Sequence, residues 1–179
     1  MRNAPASGGP AASANAGRKV AGGAPPALTL TQRLFALKAT APFDRLRDSE
    51  LASIAEVAQS RFYTDGDLIF GTHRPLQELF VVVSGAWTFI GDSPKARFDD
   101  VIGQSVIGVL NLLFDTKTRG SLLTPAGGAG LQCLVLSKTH FFTAVNECPA
   151  LMAGFLELYH FSDEDAFETS LPPTGLAAA

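Results

Sequence analysis

Cysteine is scarce in this chain: two in 179 residues, Cys133 and Cys148. Two thiols cannot build a disulfide framework, and no C-x-x-C spacing points to zinc or dithiol chemistry. The histidines His73, His140 and His160 stand far apart. With no H-x-H or H-E-x-x-H pair, no catalytic metal is expected, and no catalytic residue is assigned. No apolar run approaches the roughly 20 residues that span a bilayer, so membrane insertion is not expected. Acidic residues are missing from positions 1–43, which carry Arg2, Arg18, Lys19, Arg33 and Lys38. The rest of the chain holds 9 basic and 17 acidic residues, and the net charge is −3. A pI near 5.5 argues against a chain-wide basic footprint for nucleic acid. The 46% hydrophobic and 17% charged composition fits one folded domain in a cytoplasmic protein.

Residues 1–27 are almost entirely Ala, Gly, Pro, Ser and Asn. They offer little apolar surface to offset the entropy of ordering and are read as a disordered tail. Their basic, acid-free character also fits a transit peptide, which would place the protein in an organelle. Residues 28–168 are read as the folded domain, and 169–179 as a second loose tail.

Within the domain, Thr29 or Thr31 can cap a helix with Leu30, Leu34 and Leu37 at helical spacing, ended by Pro42. Asp48 is the expected N-cap of a second helix that buries Leu51, Ile54, Ala55 and Ala58. From Arg61 the apolar period becomes that of strands. RFYTDGDLIF reads as two short strands around a Thr-Asp-Gly turn, and ELFVVVSG (78–85) as a β-branched strand ending at Ser84-Gly85. AWTFI is the next strand, broken by GDSP (91–94); SLLT (121–124) and LQCLVLS (131–137) follow around a Gly-rich connection. Short strands with a turn every 8–12 residues predict a closed or sandwiched β-structure. A short helix around Phe141, Phe142 and Val145 follows, capped by Ser137 or Thr139. Pro149 opens the last helix, with Leu151, Phe155, Leu158 and Phe161 as its apolar stripe.

In this order the segments resemble the cyclic nucleotide-binding domain family. PFDRLRDSELASIAEVA is similar to its helical lead-in, YTDGDLIF to its strand–Gly–Asp–strand turn, and LQELFVVVSG to its strand ending in Ser-Gly. LVLSKTHFFTAVNECPALMAGFLELY is similar to its last strand, short helix and long terminal helix. The resemblance runs from about Leu34 to Tyr159. It implies a mainly β fold, an antiparallel β-roll of jelly-roll type, with N-terminal helices and a long C-terminal helix.

The resemblance also implies a ligand cassette of Phe-Gly-Glu, a helical turn, then Arg and a small residue. Amides at the turn and the arginine hold a cyclic phosphate, and the glutamate takes the ribose hydroxyl. Here IGVLNLLFDTKTRGS (107–121) is the matching segment, about one residue longer than usual before its arginine. Gly108, Val109, Leu110, Arg119, Gly120 and Ser121 are the ligand-binding candidates, with cAMP or cGMP as the ligand and no other cofactor. Val109 stands where the glutamate is expected. A ribose hydroxyl buried against it would lose about 1–3 kcal/mol, a 10- to 100-fold loss of affinity. Asn111 and Asp115 lie nearby, and either could supply an acceptor in its stead, although Asn111, two residues from Val109, stands on a different side of the helical turn.

Only 18 residues follow Phe161, which leaves no room for a helix-turn-helix, so no DNA binding in cis is expected. The implied function is a non-enzymatic regulatory or scaffolding module with weak or lost nucleotide binding. The alternative is a working cAMP, cGMP or small-anion sensor that signals to a separate effector. Leu151, Phe155 and Leu158 are candidates for a homodimer or partner helix. Trp87 reads as a barrel aromatic or as a purine-stacking platform. Cys133 reads as a buried hydrophobe, Cys148 as a thiol whose pKa a helix start could lower, and His73 as solvent-exposed.

Overall fold

The computed structural model describes residues 25–91, 97–102 and 105–158. Most of the expected N-terminal tail, all of the C-terminal one, the GDSP break beyond Gly91, and Tyr159, His160 and Phe161 lie outside these residues. Helix α1 spans Leu30–Lys38; Thr29 caps it by accepting from the Gln32 amide, while Gln32 Oε1 accepts from the Thr29 amide at 2.9 Å. This reciprocal pair is a capping box. The helix stops at Lys38, short of Pro42, and it buries Ala36 and Leu37, leaving Leu30 42% exposed against expectation. A 3₁₀ turn, Phe43–Arg45, leads to α2, Asp48–Val57. Asp48 is therefore the first helical residue rather than the cap. Glu50 reaches back to the Arg47 amide at 2.9 Å and to its guanidinium at 2.6 Å, which fixes the helix start one residue earlier. Leu51, Ile54, Ala55 and Ala58 are buried as expected. Arg33 donates to the Ala55 and Ala58 carbonyls at 2.9 and 2.7 Å, satisfying orphan acceptors at the end of α2.

Strands β1 (Gln59–Tyr63) and β2 (Leu68–Phe70) flank the expected turn, but they do not pair with each other. β1 pairs with β7 (Leu131–Ser137), and β2 pairs with β6 (Gly120–Leu123). Thr124, fully buried, locks the turn by accepting from the Asp67 amide at 2.8 Å and donating to the Thr64 carbonyl.

The spine of the roll is β3, a single 14-residue strand from Glu78 to Gly91. The expected break at Ser84-Gly85 is not a break. The first half of β3 pairs with β7 and with β5 (Ser105–Ile107), and the second half with β6 and with β4 (Arg97–Ile102). A register shift between Val82 and Ser84 lies just before the change of partner, which follows Gly85. Gly85 sits there at φ +101°, and a Cβ on it would lie 2.2 Å from the Gly130 carbonyl oxygen. Only glycine permits both the backbone angle and the approach. All pairings among the described strands are antiparallel. The curled antiparallel sheet with flanking helices is the expected β-roll.

Two helices close the described chain, α4 (Lys138–Glu147), capped by Ser137, and α5 (Pro149–Leu158). Phe155, wholly buried, meets Phe43 edge-on at 5.8 Å and Phe141 at 6.0 Å. These rings clamp the terminal helices to the 3₁₀ turn. Trp87 is 2% exposed and belongs to the core, so its face is not offered to a base.

Candidate functional site

The cassette runs from β5 through α3 (Val109–Leu113) to β6. Gly108 is the N-cap of α3 in the left-handed region, at φ +98°, and its carbonyl accepts from the Leu112 amide at 3.0 Å. Val109 and Leu112 then turn into the core, 0% and 1% exposed. Val109, at the position expected for the glutamate, is core packing. Leu110 is buried as well.

Asn111 is buried, and its amide points at the returning loop, 3.3 Å from both Thr116 Oγ1 and the Lys117 carbonyl oxygen. It ties the loop to α3 and supplies no acceptor at Val109. Asp115, at φ +51°, pairs with Lys138 at the start of α4. Both residues weighed as stand-ins for the glutamate are thus engaged elsewhere.

The loop after α3 is pinned by Thr118, 2% exposed. Its hydroxyl donates to the Gly71 carbonyl at 2.7 Å and accepts from the Arg74 amide at 3.0 Å, while its carbonyl accepts from the His73 amide at 2.8 Å. A bridge between Pro75 and Lys117 extends this seam. Sequence reasoning missed Thr118 because its partners are more than forty positions away and follow no local pattern. His73 is exposed, as expected.

The seam leaves Arg119 exposed, with no hydrogen bond or ion pair among the described residues. Gly120 follows, buried; a Cβ there would lie 2.5 Å from the Ile90 carbonyl oxygen. The small residue after the arginine is thus required by the close approach of β6 to β3, whatever the ligand. Ser121 Oγ is 3.1 Å from Thr72 Oγ1. The structure brings Gly108, Val109, Leu110, Arg119, Gly120 and Ser121 into one segment. Of these six, Arg119 alone carries a side-chain charge, and it is exposed.

A groove of about 440 Å³ lies elsewhere, between α2 and α4, and no cassette residue lines it. Among the described residues no three His, Cys, Asp or Glu side chains converge as metal ligands, and no helix is long and apolar enough to cross a membrane.

The C-terminal stripe is also placed. Leu151 and Phe155 are 1% and 0% exposed, and Leu158 is half-buried. Leu151 and Phe155 are spent on the chain's own core, so they cannot form a self-association face. The outward side of α5 presents Ala153, Leu156 and Glu157 instead.

Neither cysteine is activated. Burial raises the Cys148 thiol above its ordinary value, opposite to the lowering expected at a helix start. Cys133, 0% exposed, is pushed by burial from 9.0 to about 12. The unfolded thiol therefore ionises first. Its contribution to stability is intact below pH 9 and is lost progressively as the pH rises from there toward 12. Urea unfolding at pH 8, 9 and 10 is expected to show this loss in the native chain, and Cys133→Ala to flatten it. An unchanged slope in the alanine variant would assign the alkaline loss to other groups.

No family model matches the chain, and no curated protein matches it in sequence. Solved structures do match in three dimensions. The regulatory domain of Toxoplasma gondii PKA with cAMP superimposes with a TM-score of 0.60 at 14% identity, over 73% of this chain and 50% of that one. Cyclic-AMP-bound PfPKA-R gives a TM-score of 0.61 at 15% identity, over 76% of this chain and 49% of that one. The Thermus thermophilus catabolite activator protein gives 0.57 at 18% identity, over 65% and 55%. The chain thus spans about half the length of each of these three structures. The roll built on β3, the helices at both ends and these three superpositions agree: this chain has the cyclic nucleotide-binding domain fold.

Proposed function

We propose that the chain is a non-enzymatic regulatory or scaffolding module on this fold, acting through a protein partner, with weak or lost binding of cyclic nucleotides. The observation that carries the reading is Val109. At the position where the resemblance calls for a carboxylate, the side chain is a hydrocarbon with no exposed surface. A ribose hydroxyl brought there would exchange water for nothing, at about 1–3 kcal/mol. The nearby Asn111 and Asp115 are committed to the loop and to Lys138. The residues present therefore do not fit a cyclic nucleotide held by both its phosphate and its sugar.

The free guanidinium of Arg119 favours a second reading, a site that takes a small anion or a cyclic nucleotide by charge alone. Thermal-shift and calorimetric titrations with cAMP and cGMP separate the two. Under the first reading neither nucleotide raises the melting temperature at micromolar concentration, since a ligand that favours the folded state must do so once it exceeds its dissociation constant. Micromolar binding that Arg119→Ala abolishes would reject that reading in favour of the second.

A further inference from the structure

From Lys117 to Leu123 burial alternates at every step. Thr118, Gly120 and Leu122 are buried, while Lys117 and Arg119 are exposed and Ser121 and Leu123 half-buried. This is the period of an extended chain with one face outward. Cross-strand pairing widens that face: Ile90 stands opposite Ser121 and Leu68 opposite Leu123, and directly opposed residues of an antiparallel ladder share a side. Both are large hydrocarbons left in water, Ile90 43% and Leu68 62% exposed. The outer face thus runs from two cations at one end to Ile90, Leu123 and Leu68 at the other, over about 20 Å.

The charged end is held by backbone and carries no internal counter-charge. The Arg74 carbonyl accepts from the Thr118 amide at 2.9 Å, which brings a third exposed cation beside the pair. Arg74, Lys117 and Arg119 form no ion pair among the described residues. Residues 68–77 and 116–124, which build this surface, contain no Asp or Glu, and the neighbouring Asp115 is taken by Lys138. Lys117 and Arg119, two positions apart in extended chain, are about 6.5–7 Å apart along it. Carboxylates at alternate positions of a second extended chain have the same spacing.

We propose that this face binds an extended segment of a protein partner, with carboxylates at alternate positions over Lys117 and Arg119 and apolar residues at alternate positions over Ile90, Leu123 and Leu68. This rests on the reading of the chain as a module that acts through a protein partner, and it names what that partner presents. The cations set the register, and covering Leu68 and Ile90 supplies affinity. A nucleic acid would meet the cations but has no counterpart for the apolar end, and a net charge of −3 opposes a long polyanion.

Selection of random linear peptides, displayed as a library, against the full chain tests the proposal. Enriched sequences are expected to carry two acidic residues two positions apart, followed or preceded by apolar residues at alternate positions. A synthetic peptide of enriched sequence, followed by fluorescence anisotropy, is expected to bind about tenfold more weakly to K117E/R119E and several-fold more weakly to L68S/I90S, and to weaken in high salt. The same peptide with its acidic residues changed to lysine is expected to regain binding to K117E/R119E, a recovery that a misfolded variant could not give. No enrichment, enriched sequences without carboxylates, or equal binding to the native chain and K117E/R119E would overturn the proposal. So would oligo-dT that binds more tightly than the peptide and displaces it. The two failures are separable: micromolar binding of cAMP rejects the reading of weak or lost nucleotide binding, whereas absent enrichment rejects the acidic segment alone.

Discussion

Gly85→Ala is expected to destabilise the chain by about 4 kcal/mol, seen as a fall of roughly 12–16 °C in the thermal unfolding midpoint. Two costs add. An L-residue at φ +101° is held in a sparsely populated backbone region, at about 1–3 kcal/mol. The new methyl would also stand 2.2 Å from the Gly130 carbonyl oxygen and 2.9 Å from Leu131 Cα, both backbone atoms that cannot rotate away. Relieving that overlap costs a further 1–3 kcal/mol or so. Gly127→Ala is the control, with φ +80° but no atom within 4 Å of the added carbon, so only the backbone term applies. If both substitutions cost the same, the close packing of β3 on the β6–β7 connection is not what demands glycine at position 85.

Phe155→Ala is the second large effect, an expected loss of about 4 kcal/mol in urea unfolding. The ring is fully buried between Phe43 and Phe141, so its removal opens a cavity where three elements meet. Leu156→Ala, one position on and 44% exposed, is expected to change stability by no more than about 0.5 kcal/mol. A cost below 1 kcal/mol for Phe155→Ala would mean that α5 is not part of the domain's core.

Most of the roll was legible in the sequence because its signals are local. The Thr29 and Ser137 caps, each one of two local candidates, Pro149 at a helix start and the β-branched run Val81–Val83 each act within a few residues. The departures came where a distant contact overrides a local habit. Ser84-Gly85 carries the chemistry of a turn, yet the chain runs straight on, because the ladder changes partner there and needs an uncrowded residue. Asp48 is a good cap by type, but Glu50 reaching back to Arg47 moves the helix start.

The cassette was legible in outline and illegible in depth. IGVLNLL is apolar at nearly every position, so no periodicity says which side chains face the core, and the burial of Val109 could not be read from it. Thr118 is a hydroxyl in a polar loop until it is seen buried against Gly71 and Arg74. The stripe Leu151/Phe155 was correctly identified as apolar and given the wrong destination. A stripe shows that a helix face must be covered, and here the covering is Phe43 and Phe141.

The shared strand has a consequence for how the domain comes apart. With one half of β3 holding β7 and β5 and the other half holding β6 and β4, the β1–β7 ladder and the β2–β6 ladder are joined to each other through this one strand. Peeling β3 from one set of partners leaves its remaining length tethered to the other. Loss of the spine therefore removes both halves together, and the barrel opens as one cooperative unit instead of two.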